Sequence, residues 1–327
     1  MKKMIFIITI IFLSLLFIIY FLPITKPAKK ITWGINFAQF YAQSFGLNWK
    51  ETYLKLIEEL NVKNIKILTA WNLIEPEKNK FYFDDIKWQI EKANEKDIKL
   101  ILVLGMKTGR WPECHLPDFA KKLNKEELQK EILELLRKEV DELKGYKNIV
   151  AWQVENEPFL NFGECPFYND KNFLEKEVKL VKEIDPQRPI IISESGELSF
   201  WTKGAQIGDI LSITLYRKVW QSEFKKYFVY PLSPNFYYLK AKAIEKIFSK
   251  KVICSELQGE PWGKSNLLYN FPIEEQLEDM TLKELKNNIN FAKKTGLDTF
   301  YFWGAEWWYF LKEHGHAEYY EEMKSLF

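Results

Sequence analysis

The chain of 327 residues predicts an α/β protein built on a single (β/α)8 barrel. Short apolar runs alternate with amphipathic stretches, and eight such runs can be counted. No low-complexity linker interrupts this alternation after residue 30. The alternative, an open doubly wound sheet, usually has a glycine-rich phosphate loop after its first strand, and residues 37–41 contain no glycine.

The strands are predicted where apolar and β-branched residues cluster, and the helices where apolar residues recur at helical spacing. Alternation of the two elements favours parallel pairing, and eight units that close on themselves form a barrel. The predicted strands cover residues 31–37, 64–70, 99–104, 149–155, 190–194, 210–216, 252–256 and 299–303. The clearest predicted helices cover 49–60, 125–143, 172–184, 236–248 and 274–294.

The first thirty residues have a different composition from the rest. Lys2 and Lys3 precede an apolar run over residues 4–22, which is long enough for a membrane-spanning helix. The run lacks the short apolar core and small-residue cleavage site typical of a cleaved signal peptide, which is the alternative. We therefore expect a membrane anchor and linker over 1–30 and a barrel domain over 31–327 on the extracytoplasmic side.

The overall charge is nearly balanced, with 47 Lys and Arg against 45 Asp and Glu. This balance gives no indication of a nucleic-acid-binding surface. Aromatic residues make up 16% of the chain, with 12 Trp, and many follow predicted strands. Sugar rings stack on indole through their apolar faces, so the pattern favours a carbohydrate partner, although most of these aromatics are expected to pack the core.

Two cysteines fall in loops that a barrel would bring together. Cys114 and Cys165 follow the predicted third and fourth strands, which are neighbours. We expect a disulfide between them, which an oxidising location would permit. A zinc site using Cys114 and His115 is the alternative, and two ligands close in sequence without a second pair support it weakly.

Two glutamates end predicted strands. Asn156-Glu157-Pro158 follows the apolar fourth strand, and Glu256 ends the seventh. Two carboxyl groups on a rigid frame suit the hydrolysis of a glycosidic bond, whereas Glu157 alone could simply cap a loop. Glu260 is a rival for Glu256, which we prefer because a strand end is better fixed than a loop. Strict alternation would place Cys254 on the same side of the strand as Glu256.

With these motifs the chain resembles the retaining glycoside hydrolases of clan A, including the cellulase-like family 5 and the galactosidase-like family 42. The resemblance also rests on the Trp and Glu-Pro of segment 70–76, followed by the aromatic-Asp segment 81–84. It covers most of the chain from residue 31. The resemblance implies that Glu157 is the acid/base and Glu256 the nucleophile. It also implies that Asn156 donates to the sugar 2-hydroxyl, that Tyr216 is a partner of the nucleophile and that Trp303 forms a platform under the sugar.

Further candidates for substrate binding lie beside these motifs. Trp71 belongs to the second-strand segment and Glu306 follows the eighth strand. Family 5 members usually have an Arg near the second strand and a His near the third, and both are missing from these strand ends. Arg110 and His115, in the third loop, are the available substitutes, and an ion pair is the alternative role for Arg110. Inserts near 218–234 and 258–272 are expected to wall the site.

The resemblance implies hydrolysis of β-linked O-glycosidic bonds in oligo- or polysaccharides by double displacement, without a metal or organic cofactor. One alternative is a membrane-anchored glycan-binding module whose barrel no longer hydrolyses its ligand. The presence of both glutamates counts against it. The other alternative is a metal-dependent barrel hydrolase, which usually recruits several His or Asp side chains, whereas this chain has 3 His, none at a predicted strand end.

Overall fold

Eight parallel strands close into a barrel in the computed structural model, which describes residues 2–22, 24–167, 169–265 and 267–327. Neighbouring strands follow the order β1-β8-β7-β6-β5-β4-β3-β2, so the predicted barrel is confirmed and the open sheet is excluded. The strands are β1 Thr32–Phe37, β2 Asn64–Leu68, β3 Lys99–Leu104, β4 Ile149–Val154, β5 Ile190–Glu194, β6 Ile210–Leu215, β7 Lys251–Gln258 and β8 Thr299–Trp303.

Helices follow the strands and cover the barrel, as the alternating pattern predicts. They are α1 Lys2–Phe21, α2 Gln39–Ser44, α3 Trp49–Glu59, α4 Trp71–Ile74, α5 Asp84–Asn94, α6 Lys125–Leu143, α7 Lys171–Ile184, α8 Thr202–Ile207, α9 Pro234–Phe248, α10 Ile273–Asp279, α11 Leu282–Lys294, α12 Ala305–Glu313 and α13 Glu318–Lys324. Short 3-10 turns occupy Ala120–Lys122 and Leu268–Asn270.

The helix predicted over residues 274–294 is two helices, α10 and α11. The first helix ends before Thr281 and the second begins after it. The Thr281 side chain accepts the Glu284 N–H, and the Glu284 carboxylate accepts the Thr281 N–H. This capping box satisfies backbone groups that a continuous helix would bond internally, so a new helix begins there. The apolar spacing alone did not reveal the break, because apolar residues that pack against the core occur in both helices, including Ile273 and Leu277 before it and Leu285 and Ile289 after it.

Strand β7 contains a β-bulge just before its functional end. Ile213 of β6 pairs with Cys254, but the next residue, Thr214, pairs with Glu256, so β7 has one extra residue at Ser255. The expected alternation is therefore wrong, because a bulge resets which side of the strand each residue faces. Cys254 packs in the large core cluster shared with the helices, while Glu256 contacts Lys66.

The predicted disulfide between Cys114 and Cys165 is present, with an S–S distance of 2.05 Å. It joins the loop after β3 to the loop after β4. A thiolate ligand is therefore not available at Cys114, and the zinc alternative beside His115 is excluded. The third cysteine, Cys254, is a buried thiol.

Removing the disulfide is expected to lower the free energy of unfolding by about 2–4 kcal/mol, because the crosslink restricts the unfolded chain. The closed segment has a sequence separation of 51, so the loop is long enough for this effect. Denaturant unfolding of the double variant Cys114→Ser, Cys165→Ser, compared with the oxidised parent, measures it. Equal midpoints and slopes for the two proteins would contradict this expectation.

The structure corrects the expectation for the N-terminal segment. Helix α1 forms over the apolar run, and the Asn235 side-chain amide donates to the Leu22 carbonyl oxygen beside α9. Within residues 2–22 and the rest of the described chain, however, no helix combines the length and apolar character that a membrane crossing requires. The predicted transmembrane anchor over residues 4–22 is therefore not supported. Met1 and Pro23 of the predicted anchor and linker lie outside the described residues.

Candidate active site

The end of β4 holds Glu157 in a strained and well-supported backbone. Its φ of 43° lies in the left-handed region, which glutamate seldom adopts, and Glu155 has a φ of 57°. The Ser193 hydroxyl oxygen accepts the Glu157 N–H at 2.8 Å. The Glu155 carboxylate accepts the N–H groups of Met106 and Lys107 at 2.8 and 2.6 Å. Such strain persists where surrounding contacts enforce it, and it is concentrated at functional sites.

Glu256, near the end of β7, has a hydrogen-bond donor for each carboxylate oxygen. The Lys66 ammonium donates to Oε1 at 3.1 Å, and the Tyr216 hydroxyl donates to Oε2 at 3.1 Å. Lys66 is fully buried in the middle of β2, and Glu256 is 2% exposed. The buried ammonium compensates the carboxylate charge, and the two bonds fix the orientation of the carboxylate plane.

Both glutamates line one cavity of about 700 Å³ at the carboxyl ends of the strands. The hairpin Lys218–Gln221 and Lys226–Val229, which follows β6, contributes residues 219–223 to its wall. The loop after β7 contributes residues 260–265. The two predicted inserts therefore wall the cavity as expected. Aromatic residues face it as well, including Trp111, Trp220, Trp262 and Trp303.

The electrostatics distinguish Glu157 from an ordinary surface glutamate. Burial, and next the charge of Glu256, raise the pKa of Glu157 well above its usual value, although Lys107 opposes the shift. Burial also raises the pKa of Glu113, Glu197 and Glu260, each to about 7. The cavity thus contains several carboxyl groups that hold protons at a higher pH than free glutamate does.

Three of the predicted binding residues lie in this cavity: Tyr216, Trp303 and Arg110. The Arg110 guanidinium lies 4.0 Å from the Trp303 ring centre and 3.5 Å from that of Tyr41. It also pairs with Glu260 and with Glu306, the latter at 3.1 Å. Arg110 therefore both lines the cavity and forms ion pairs, so both interpretations apply. The two glutamates hold its guanidinium against the rings of Tyr41 and Trp303.

Three other candidates are buried and do not line the cavity. Trp71 is fully buried in α4 and donates its indole N–H to Glu75 at 2.8 Å. The Glu306 carboxylate accepts the Ala38 N–H at 2.6 Å, besides pairing with Arg110. Asn156 is 1% exposed, and its side-chain oxygen accepts from Gln153 at 2.9 Å. Trp71 and Glu306 thus pack and brace the barrel in this structure.

Sequence reasoning missed several residues at this site. Lys66 had a signal, because a lysine in the middle of the apolar strand 64–68 needs a buried partner. Glu113 and Glu197 stand in loops after β3 and β5, where nothing local distinguishes them from solvated carboxylates. His115, predicted as a substitute for the histidine that family 5 members have near the third strand, is buried, and its ring Nε2 hydrogen-bonds the Gly109 carbonyl oxygen at 3.0 Å.

The described side chains do not assemble a metal centre. Over residues 2–22, 24–167, 169–265 and 267–327, no three His, Cys, Asp or Glu side chains come together in a geometry that could hold an ion.

Comparison with known proteins places the fold. No known family model and no curated protein matches the sequence. Among solved structures, GH5_18 from Bifidobacterium longum subsp. longum aligns with a TM-score of 0.60 and 13% identity, covering 84% of this chain and 70% of that one. Xylanase 10B from Thermotoga maritima aligns at 0.57 and 16%, covering 84% and 83%. The chain shares the barrel fold of clan A glycoside hydrolases.

A β-galactosidase from the psychrophilic Marinomonas ef1 has the same barrel, with a TM-score of 0.57 and 10% identity. The alignment covers 84% of this chain but 54% of that longer protein. At these identities the likeness establishes the fold alone, because one barrel supports many chemistries.

Proposed function

We propose that the protein is a retaining glycoside hydrolase that cleaves β-linked O-glycosidic bonds in oligo- or polysaccharides. One observation carries the proposal: two buried glutamates line the same cavity in different environments. Glu256 accepts from a lysine ammonium and a tyrosine hydroxyl, whereas burial and a neighbouring charge raise the pKa of Glu157. Such a difference separates a nucleophile from a general acid.

The proposed reaction has two displacement steps. In the first, a carboxylate oxygen of Glu256 attacks the anomeric carbon, the bond to the leaving oxygen breaks, and Glu157 gives its proton to that oxygen. In the second, Glu157 takes a proton from water, the water oxygen attacks the anomeric carbon, and the bond to Glu256 breaks. Atoms and charges balance, and both glutamates return to their starting states.

The other residues have supporting roles in this proposal. Lys66 and Tyr216 hold the Glu256 carboxylate so that a fixed oxygen faces the sugar. Trp303 is the platform on which the apolar face of the sugar stacks, and the Arg110 guanidinium, 4.0 Å from the centre of that ring, stabilises its position. Asn156, directly before the acid/base, is the proposed donor to the 2-hydroxyl.

The proposal sets the direction of the pH dependence. Since the first step needs protonated Glu157, kcat/KM falls as pH rises through the pKa of that group. Burial and Glu256 raise this pKa, so we expect activity to persist well above about pH 4–5, where an ordinary glutamate loses its proton. A pH profile of kcat/KM measures it. An alkaline limb in the ordinary carboxyl range would rule out buried Glu157 as the acid.

The deciding experiment is hydrolysis of aryl β-glycosides and β-linked polysaccharides by the full chain, with the product anomer followed by proton NMR. The expected result is turnover with a first-formed product of retained configuration. Inverted product would exclude double displacement. Binding of glycans without cleavage of any of them would favour the glycan-binding module instead.

We also propose that the barrel domain functions outside the cytoplasm. The disulfide between Cys114 and Cys165 supports this, because such bonds persist in oxidising compartments and are rare in reducing ones. Alkylation of protein taken directly from its native cells, followed by mass measurement, tests it. Two alkylated thiols at these positions would contradict the proposal.

A further inference from the structure

Glu197 is a buried carboxyl group in the cavity to which the proposed mechanism assigns no role. It stands in the loop after β5 and lines the cavity together with Glu157. Its Oε1 accepts the Tyr237 hydroxyl at 2.7 Å and the Tyr216 N–H at 3.0 Å. Two donors therefore fix one carboxylate oxygen and leave the other to face its neighbour Thr214.

A single hydroxyl lies between Glu197 and Glu157. The Thr214 Oγ1 is 3.3 Å from Glu157 Oε1 and 3.5 Å from Glu197 Oε2. The same hydroxyl oxygen accepts the Gly196 N–H at 3.1 Å, which holds it in place. A Cβ on Gly196 would lie 1.9 Å from the Thr214 carbonyl oxygen, so only glycine permits this approach of the β5 loop to β6.

One threonine proton can bond only one of the two carboxyl groups at a time. When both groups are ionised, one oxygen lacks its donor and the two negative charges repel each other in a buried place. Protonation of Glu157 removes this conflict while Glu197 keeps its two other donors. The juxtaposition thus favours the state of Glu157 that donates a proton to a leaving group.

We infer that Glu197 is a positioning residue for Glu157, because its charge, acting across the Thr214 hydroxyl that lies between the two carboxyl groups, holds the proton on the acid/base. The inference rests on the proposed glycosidase function and goes beyond it, because it adds a third carboxyl group to the two-glutamate mechanism. Glu197 itself contacts no reacting atom in this role.

Other charged and titratable groups also face these carboxyls. Glu256, Lys107 and Glu113 act on Glu157 from the ends of β7 and β3, and the Tyr216 and Tyr230 hydroxyls lie within its electrostatic reach. Glu197 also faces Tyr237 and Lys240 of α9. Burial raises the pKa of Glu197 to about 7, so above that pH Glu197 carries the negative charge that opposes ionisation of Glu157.

The test compares the pH profiles of kcat/KM for the full-length parent and two variants. Glu197→Gln removes the neighbouring charge, so the alkaline limb is expected to move to lower pH by about one unit. Thr214→Val removes the donor to ionised Glu157, so the limb is expected to move the opposite way. The matched control is Glu194→Gln, a buried glutamate of β5 that accepts the Gly204 N–H at 2.6 Å and should leave the limb in place.

The outcomes separate the inference from the proposed function. A limb that stays at the parental pH in a folded Glu197→Gln variant, even with reduced kcat, would overturn the inference and leave Glu197 a structural role. If the parent hydrolyses no glycoside, the proposed function fails, and carbon NMR titration of the Glu157 carboxyl in parent and variant still decides the electrostatic claim. In that titration the Glu157 carboxyl of Glu197→Gln is expected to lose its proton at a lower pH than in the parent. An unchanged Glu157 titration would overturn the inference.

Discussion

Replacing Glu256 by glutamine is expected to lower kcat for aryl β-glycosides by at least about 10⁴-fold, since the covalent step loses its nucleophile. Glutamine has nearly the same shape, so the cavity should remain intact. The change does leave the fully buried Lys66 ammonium without its anionic partner. The stability of the variant must therefore be measured beside its kinetics.

Parallel kinetics of Glu256→Gln and Glu194→Gln, with thermal unfolding of both, isolate this effect. Glu194 is a buried strand-end glutamate on β5 that bonds a backbone N–H rather than facing the cavity, so its variant should keep parental activity within a few fold. Retention of more than a tenth of the parental rate by folded Glu256→Gln would remove Glu256 as the nucleophile. Glu260, which lines the same cavity and pairs with Arg110, would then be tested next.

Replacing Glu157 by glutamine is expected to give a loss that depends on the leaving group. With a phenyl glycoside, whose departing oxygen needs a proton, kcat/KM should fall by about 10²–10⁴-fold. With a dinitrophenyl glycoside the leaving group departs without that proton, so the first step is largely spared. Hydrolysis of the intermediate still lacks its general base, and the glycosyl-enzyme should accumulate.

A burst of dinitrophenol, and a mass increase of one glycosyl unit on a peptide containing Glu256, would register that intermediate. Added azide, which attacks without base assistance, should restore turnover of the dinitrophenyl substrate. An equal loss for both leaving groups would show that Glu157 does not serve as the proton donor. Thr214→Ser, which keeps the hydroxyl beside Glu157, is the matched control and should behave like the parent.

Much of the fold could be predicted because it depends on local patterns. The strands at residues 99–104, 190–194 and 299–303 were predicted with the bounds that the structure has. Their apolar runs are buried on both faces, as parallel strands in a barrel must be. The helix predicted over 274–294 was placed correctly but not divided at Thr281, because a capping box produces little change in the apolar spacing.

The candidate site was predictable where chemistry coincides with a strand end. Glu157 and Glu256 each follow an apolar run, and the closed barrel brings both to one cavity. Trp71, in the second-strand segment, and Glu306, after the eighth strand, were predicted at the site, but they are buried in bracing contacts with Glu75 and Ala38. A position in the chain near a strand end does not say whether the side chain faces the cavity or the surrounding shell.

The sequence by itself determined the eight strands and the two glutamates near strand ends, because periodicity and residue type record what each segment must bury or expose. It predicted the disulfide between Cys114 and Cys165 as one of two alternatives, and the structure decided between them. Only the tertiary structure decided that Lys66 bonds Glu256, 190 positions away, and that Thr214 stands between Glu157 and Glu197. Barrel closure brings the strands that carry these residues together, and a one-residue bulge in β7 sets the side of the strand that Glu256 faces. Neither feature leaves a periodic pattern in the sequence.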